Sequence, residues 1–153
     1  MGYFYHLILN KMMTLTEFLD RYGVDTTSNF DLLDWSKQLG ITLKVIMKNE
    51  LDKLKTTKKN YIICNYQTTK EVGIHWISLY KDNKDKFYMD SFGVQPFQEA
   101  IDFLGPHYIY STFQIQKPNQ RCCGQYSIYF LYCLHNGKNY YDIVLDMVKF
   151  SYL

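Results

Sequence analysis

Residues Gln116 to Phe130 constrain this chain more than any other stretch. A polar, turn-rich segment, Gln-Lys-Pro-Asn-Gln-Arg, runs into Cys122, Cys123 and Gly124. An apolar helical pattern follows through Ile128, Leu131, Tyr132, Leu134 and His135. A helix this apolar must be buried, so its mouth faces a packed interior. Partial positive charge and free N–H groups at a helix N-terminus stabilise a thiolate or an oxyanion. The stretch therefore asks the rest of the chain for a base, an acid to orient that base, and an oxyanion donor.

The 153 residues suffice for one domain with a real core. The four cysteines, Cys64, Cys122, Cys123 and Cys133, form no C-x-x-C pair and no secreted disulfide framework, which points to a reducing compartment. Their spacing with the histidines matches no standard zinc pattern, so no metal or cofactor is expected. The apolar N-terminus, Met1 to Met13, lacks a basic leader and is too short to span a bilayer, so no membrane partner is expected. From Lys37 to Lys70 eight lysines face two acids, Glu50 and Asp52. That stretch reads either as a solvated loop face or as an anionic or nucleic-acid patch.

Taken in order, Thr14-Leu-Thr-Glu17 is a capping box opening a helix to about Tyr22, before Gly23. Residues 1–28 read as an N-terminal extension packed on a domain of residues 29–153. Ser28 or Asn29 caps a second helix that ends at Gly40. Strands are expected at Ile41–Met47, Tyr61–Tyr66, Ile74–Tyr80 and Lys86–Asp90, the last two joined by the Asp82–Asp85 hairpin loop. Pro96 is placed at the first position of a helix stopped by Gly105-Pro106. A strand over Tyr108–Ile115 leads to Gln116. The buried helix Cys123–His135 and a helix capped by Asn139 complete the chain. Hairpin-linked strands with clustered helices define an α+β fold around a mixed, largely antiparallel sheet flanked by helices.

Four histidines compete as base. His135 lies twelve residues beyond Cys123 on the same helix, about 18 Å along its axis, and cannot reach the mouth. His6 falls in the extension and His107 in a loop. His75, beside Trp76, sits on a central strand. Asp90 ends the antiparallel neighbour, so hairpin pairing can bring the two together and select the imidazole tautomer. Gln116 ends a strand seven residues before Cys123 and can donate to an oxyanion beside the Cys123 N–H.

The arrangement resembles the adenovirus maturation proteases and their relatives in Polinton elements and virophages, which share a clan with SUMO-specific proteases. Gly73-Ile-His75-Trp76 is similar to the family's Gly-Val-His-Trp strand. Phe87-Tyr-Met-Asp90-Ser-Phe92-Gly93 is similar to its acid strand. Gln116-Lys-Pro118-Asn119-Gln-Arg-Cys-Cys123-Gly124 is similar to its Gln-x-Pro-Asn-x-x-x-Cys-Gly motif. The resemblance implies Cys123 as nucleophile, since the family nucleophile immediately precedes glycine. It implies His75 as general base, Asp90 as its orienting acid and Gln116 as oxyanion donor. Trp76 and Gly124 become substrate-contact positions, with Trp76 packed against the imidazole. It further implies a monomeric endopeptidase acting on capsid precursors at glycine-containing sites, in the virion or host cell interior. Adenovirus enzymes are stimulated by DNA and by a peptide attached through a cysteine between acid and nucleophile. The Lys37–Lys70 region leaves a DNA contact open, whereas no cysteine separates Asp90 from Cys122. Rival readings are a deconjugating protease for ubiquitin-like modifiers, an acyltransferase, and a silent binding module.

Overall fold

The computed structural model describes residues 11–68 and 75–153. Two capped helices open it, α1 (Leu15–Tyr22) and α2 (Asn29–Leu39). Thr14 with Glu17, and Ser28 with Asp31, form reciprocal capping boxes that satisfy otherwise orphaned N–H groups. Strand β1 (Leu43–Met47), a 3-10 helix (Lys48–Lys53), β2 (Asn60–Asn65), β3 (Trp76–Lys81) and β4 (Lys86–Met89) follow. Then come α3 (Gln98–Leu104), β5 (Ile109–Tyr110), α4 (Cys123–His135) and α5 (Tyr140–Ser151). Asn139 caps α5 through Asp142 N.

The five strands lie in sequence order. The β2–β3 and β3–β4 pairs are antiparallel, while β1 and β5 join the edges in parallel. The fold is thus α+β with a mixed sheet, as the hairpin pattern predicts. Alternation along the strands divides the core in two. Leu43, Tyr61, Ile63, Trp76, Tyr80, Phe87 and Met89 belong to the larger cluster, with α4 and residues of α1, α2 and α5. Ile62, Cys64, Ile77, Leu79 and Tyr88 meet Leu51 and α3 in the other.

Helix α4 is the centre of the larger cluster. Every residue from Cys123 to Cys133 is buried. Ser127 Oγ donates to Trp76 O (3.1 Å) and ties the helix to β3. Met12, Met13 and the α1 residues Leu15, Phe18 and Leu19 are part of the same packing. Phe18 is fully buried, its ring 5.2 Å from Tyr129 and 5.7 Å from Tyr132 of α4.

Two sequence expectations change. Helix α3 starts at Gln98, with extended Phe97 as its N-cap, so Pro96 precedes the cap instead of occupying the first helical position. The extended Phe97 backbone lets its ring bury against Tyr66 (5.3 Å) and Tyr88 (6.1 Å). The strand expected over Tyr108–Ile115 is only Ile109–Tyr110, paired with Phe87–Tyr88. Beyond it the backbone turns away from the ladder, and the N–H groups of Ile115 and Gln116 both donate to Ser91 O at 2.8 Å. Gly73 and Ile74 lie outside the described residues, as does His6.

Replacing Phe18 with Ala should lower the unfolding free energy by about 3–5 kcal/mol, since a buried aromatic ring leaves a cavity when removed. Denaturant titration measures this. A loss below about 1 kcal/mol would show that α1 is not integral to the core.

Candidate active site

The chemistry-bearing residues meet where the start of β3, the end of β4 and the N-terminus of α4 converge. Cys123 is the first residue of α4 and Cys122 its N-cap. Cys123 Sγ accepts the backbone N–H of Trp76 at 3.5 Å. This N–H and the helix mouth both favour negative charge on sulfur.

His75 Nε2 donates to Asp90 Oδ1 at 2.8 Å. The Cys123 sulfur lies close enough to act on the imidazole electrostatically. Nε2 is occupied, so Nδ1, which is buried and has no hydrogen-bond partner, is the nitrogen left for the thiol. Burial pulls the imidazolium pKa down, but the hydrogen bond to Asp90 and the Cys123 sulfur outweigh it, raising it from 6.5 to about 9. The rings beside the imidazole are Phe92 (centroids 4.9 Å apart) and Tyr66 (6.5 Å). Trp76, expected there, instead packs over Gly124 because consecutive residues of an extended chain point to opposite faces.

Asp90 is held in a tight turn. Its Oδ1 also accepts the Phe92 N–H (2.8 Å), and its carbonyl accepts the Gly93 N–H (2.9 Å). Gly93 has φ of 70°, and a Cβ there would lie 2.6 Å from Thr112 O. Only glycine satisfies both the left-handed backbone and this close approach.

Gln116 is buried, and its amide is engaged at both ends. Ser91 Oγ donates to Oε1 (2.7 Å), and Nε2 donates to Gln120 O (2.6 Å). A primary amide has two N–H donors, so one remains for another acceptor. Ser91, fully buried and next to Asp90, therefore joins the acid turn to the glutamine. Sequence reading passes over it because serine is usually exposed. Its adjacency to Asp90 is the only signal the sequence carries.

Gly124 allows a second close approach. A Cβ there would run into Thr27 Oγ1 and come within 3.3 Å of Trp76 Cδ1. Residues 25–28 strap this corner, because Trp76 Nε1 donates to Thr27 O (3.1 Å) and Gln125 Nε2 to Asp25 O (2.8 Å). Burial pushes the Cys122 thiol pKa up, with the Tyr126 hydroxyl pulling partly back. Cys64 and Cys133 are buried in the core, away from this corner. His135 lies at the far end of α4 beside Tyr61, and His107 is exposed.

This corner gathers a thiol, an imidazole and a carboxylate at the mouth of a buried helix in an α+β domain. The chain is similar in fold to the ASFV pS273R protease, with a TM-score of 0.60 and 14% identity over 86% of this chain and 67% of that one. The selenomethionine form of the same protease gives a TM-score of 0.60 and 13% identity, over 86% and 68%. No protein-family model matches the chain, and no curated protein matches it in sequence.

Two measurements test this geometry. NMR titration should place the His75 pKa near 9. A raised pKa means that stability from this proton is complete below about 6.5 and lost as pH rises through about 9. Asp90→Asn removes a raising group and leaves burial, so the pKa should fall. An unchanged value would contradict the pairing. Ser91→Ala leaves Gln116 Oε1 buried without its donor and should cost about 1–3 kcal/mol in denaturant unfolding. Loss of less than about 0.5 kcal/mol would show the bond contributes little.

Proposed function

We propose that the protein is a thiol endopeptidase. The observation that carries this reading is His75 held by Asp90 on Nε2 and within reach of the Cys123 sulfur at the mouth of α4, with Nδ1 buried and without a partner. The fold shared with the ASFV pS273R protease supports it.

Cys123 and His75 rest as a thiolate–imidazolium pair, the thiol proton held on His75 Nδ1, and the thiolate attacks the scissile carbonyl carbon. The carbonyl π electrons move onto oxygen, which the Cys123 N–H and the spare Gln116 Nε2 N–H stabilise. His75 then protonates the leaving amine as the C–N bond breaks, giving an acyl-enzyme and a free amino terminus. Neutral His75 next takes a proton from water, the hydroxide displaces the thiolate, and the acid product leaves. Asp90 keeps the imidazole in the tautomer this sequence needs and stabilises its charged form.

The finer reading is an adenain-type maturation protease that cuts capsid or other structural precursors at glycine-containing sites. The sequence motifs around His75, Asp90 and Cys123 support it. So does Gly124, whose lack of a side chain lets Thr27 and Trp76 pack directly on the residue after Cys123. Incubation with co-encoded structural proteins, followed by mass spectrometry of new termini, tests this reading. Cleavage confined to modifier conjugates would favour deconjugation instead.

Cys123→Ala should reduce peptide hydrolysis at least about 1,000-fold while retaining the fold, because it removes the nucleophile. Cys122→Ala should retain substantial activity, because its thiol packs by Tyr126. A dead Cys122→Ala with an active Cys123→Ala would overturn the assignment. With imidazolium required to protonate the leaving group, kcat/KM should decline on the alkaline side near pH 9.

A further inference from the structure

A cleft of about 620 Å³ opens beside Trp76, bounded by the 25–28 strap and the end of β1. Its floor is set by strand register. Met47, Asn65 and Trp76 are in-register neighbours across β1, β2 and β3, so their side chains share a sheet face, and all three line the cleft. Asn65 is fully buried. Its Oδ1 accepts the Gln67 N–H (3.0 Å), whereas its Nδ2 has no hydrogen-bond partner. A buried donor left unpaired is unfavourable, and an arriving acceptor relieves it.

Among the described residues, the charge that lines this cleft has one sign. Asp31 and Glu50 line it, and no described lysine or arginine does. Each spends one oxygen on its own helix cap. Asp31 Oδ2 accepts the Ser28 N–H, and Glu50 Oε1 accepts the Met47 N–H, both at 2.9 Å. Neither forms an ion pair among the described residues. The neighbouring cations point elsewhere. Lys48 Nζ lies over the Tyr66 and Phe97 rings, and Lys44 Nζ donates to Lys55 O. Two carboxylates with free oxygens and an indole wall suit a cationic side chain, while Asn65 Nδ2 suits a main-chain carbonyl.

We propose that this cleft is a specificity subsite that takes a lysine or arginine of the polypeptide substrate, a few residues from the scissile bond. The inference rests on the thiol-endopeptidase reading, because Trp76 connects the two places. Its backbone N–H is on the Cys123 sulfur and its side chain lines the cleft. The two carboxylates attract the cation, and Asn65 Nδ2 donates to the carbonyl of an adjacent peptide bond. The subsite sets which sequence is cut and takes no part in bond making.

The test is digestion of a diverse peptide library by the full chain, with mass-spectrometric mapping of every cleavage window. Matched peptides carrying Lys, Arg, norleucine or Glu at the enriched position then supply kcat/KM values. Lys and Arg should be enriched at one fixed position, with kcat/KM about tenfold above norleucine and further above Glu. In the D31N/E50Q variant, which keeps both capping acceptors, the Lys-to-norleucine ratio should drop to about twofold. Cleavage without basic enrichment at any position overturns the subsite and leaves the endopeptidase reading intact. A ratio unchanged in the variant also overturns it. Failure to cut any peptide, with no labelling of Cys123 by a thiol-directed probe, overturns the endopeptidase reading itself. The wild-type enrichment decides the question whether or not the variant folds.

Discussion

The burial of α4 is the constraint on which the rest of the structure depends. A helix whose first eleven residues are all buried cannot shift or rotate without disturbing a close-packed interior. The sheet presses on it through Trp76, Tyr61 and Tyr80, and α1 presses through Phe18. That packing determines where Cys123 points. The corner around Cys123 inherits its rigidity from the core, since the Ser127–Trp76 hydrogen bond anchors the helix to the strand that follows His75.

A second coupling runs through Ser91. Its carbonyl holds the backbone of Ile115 and Gln116, and its hydroxyl orients the Gln116 amide. Asp90, one residue earlier, holds the imidazole. One turn therefore positions both the carboxylate on the imidazole and the Gln116 amide. Gly93 makes the turn possible by letting the Thr112–Phe113 backbone pass against it. Displacing this turn would disturb both contacts together, because Asp90 and Ser91 are adjacent in it.

Local signals in the sequence carried much of this. The capping boxes at Thr14 and Ser28, the cap at Asn139 and the apolar run after Cys123 depend on neighbouring residues, and each marks the helix it predicts. The His75–Asp90 pairing was legible because a hairpin converts two short strands into one register. Interactions across long sequence separations were not. Ser91 meets Gln116 twenty-five residues away, and Thr27 meets Trp76 forty-nine residues away. Nothing in the composition of either residue advertises burial. The shortness of β5 was hidden for a similar reason. The apolar pattern from Tyr108 reports side-chain environment, whereas strand length depends on whether a partner backbone remains alongside.

The four cysteines differ in what the fold places around each thiol. Burial raises the thiol pKa of Cys64 and Cys122, and pushes that of Cys133 up to about 11. Such groups stay protonated and unreactive at neutral pH. Cys123 is also buried, yet its surroundings differ in kind. A backbone N–H points at its sulfur, a helix begins at its own residue, and a proton-retaining imidazole lies beside it. The Trp76 N–H and the imidazole set the surroundings of Cys123 apart from those of Cys122, although the two residues are adjacent. The distinction between neighbouring cysteines thus follows from which one the helix mouth turns toward β3. Tight packing around Gly124 keeps it turned that way, because any side chain there would push the helix off Thr27 and Trp76.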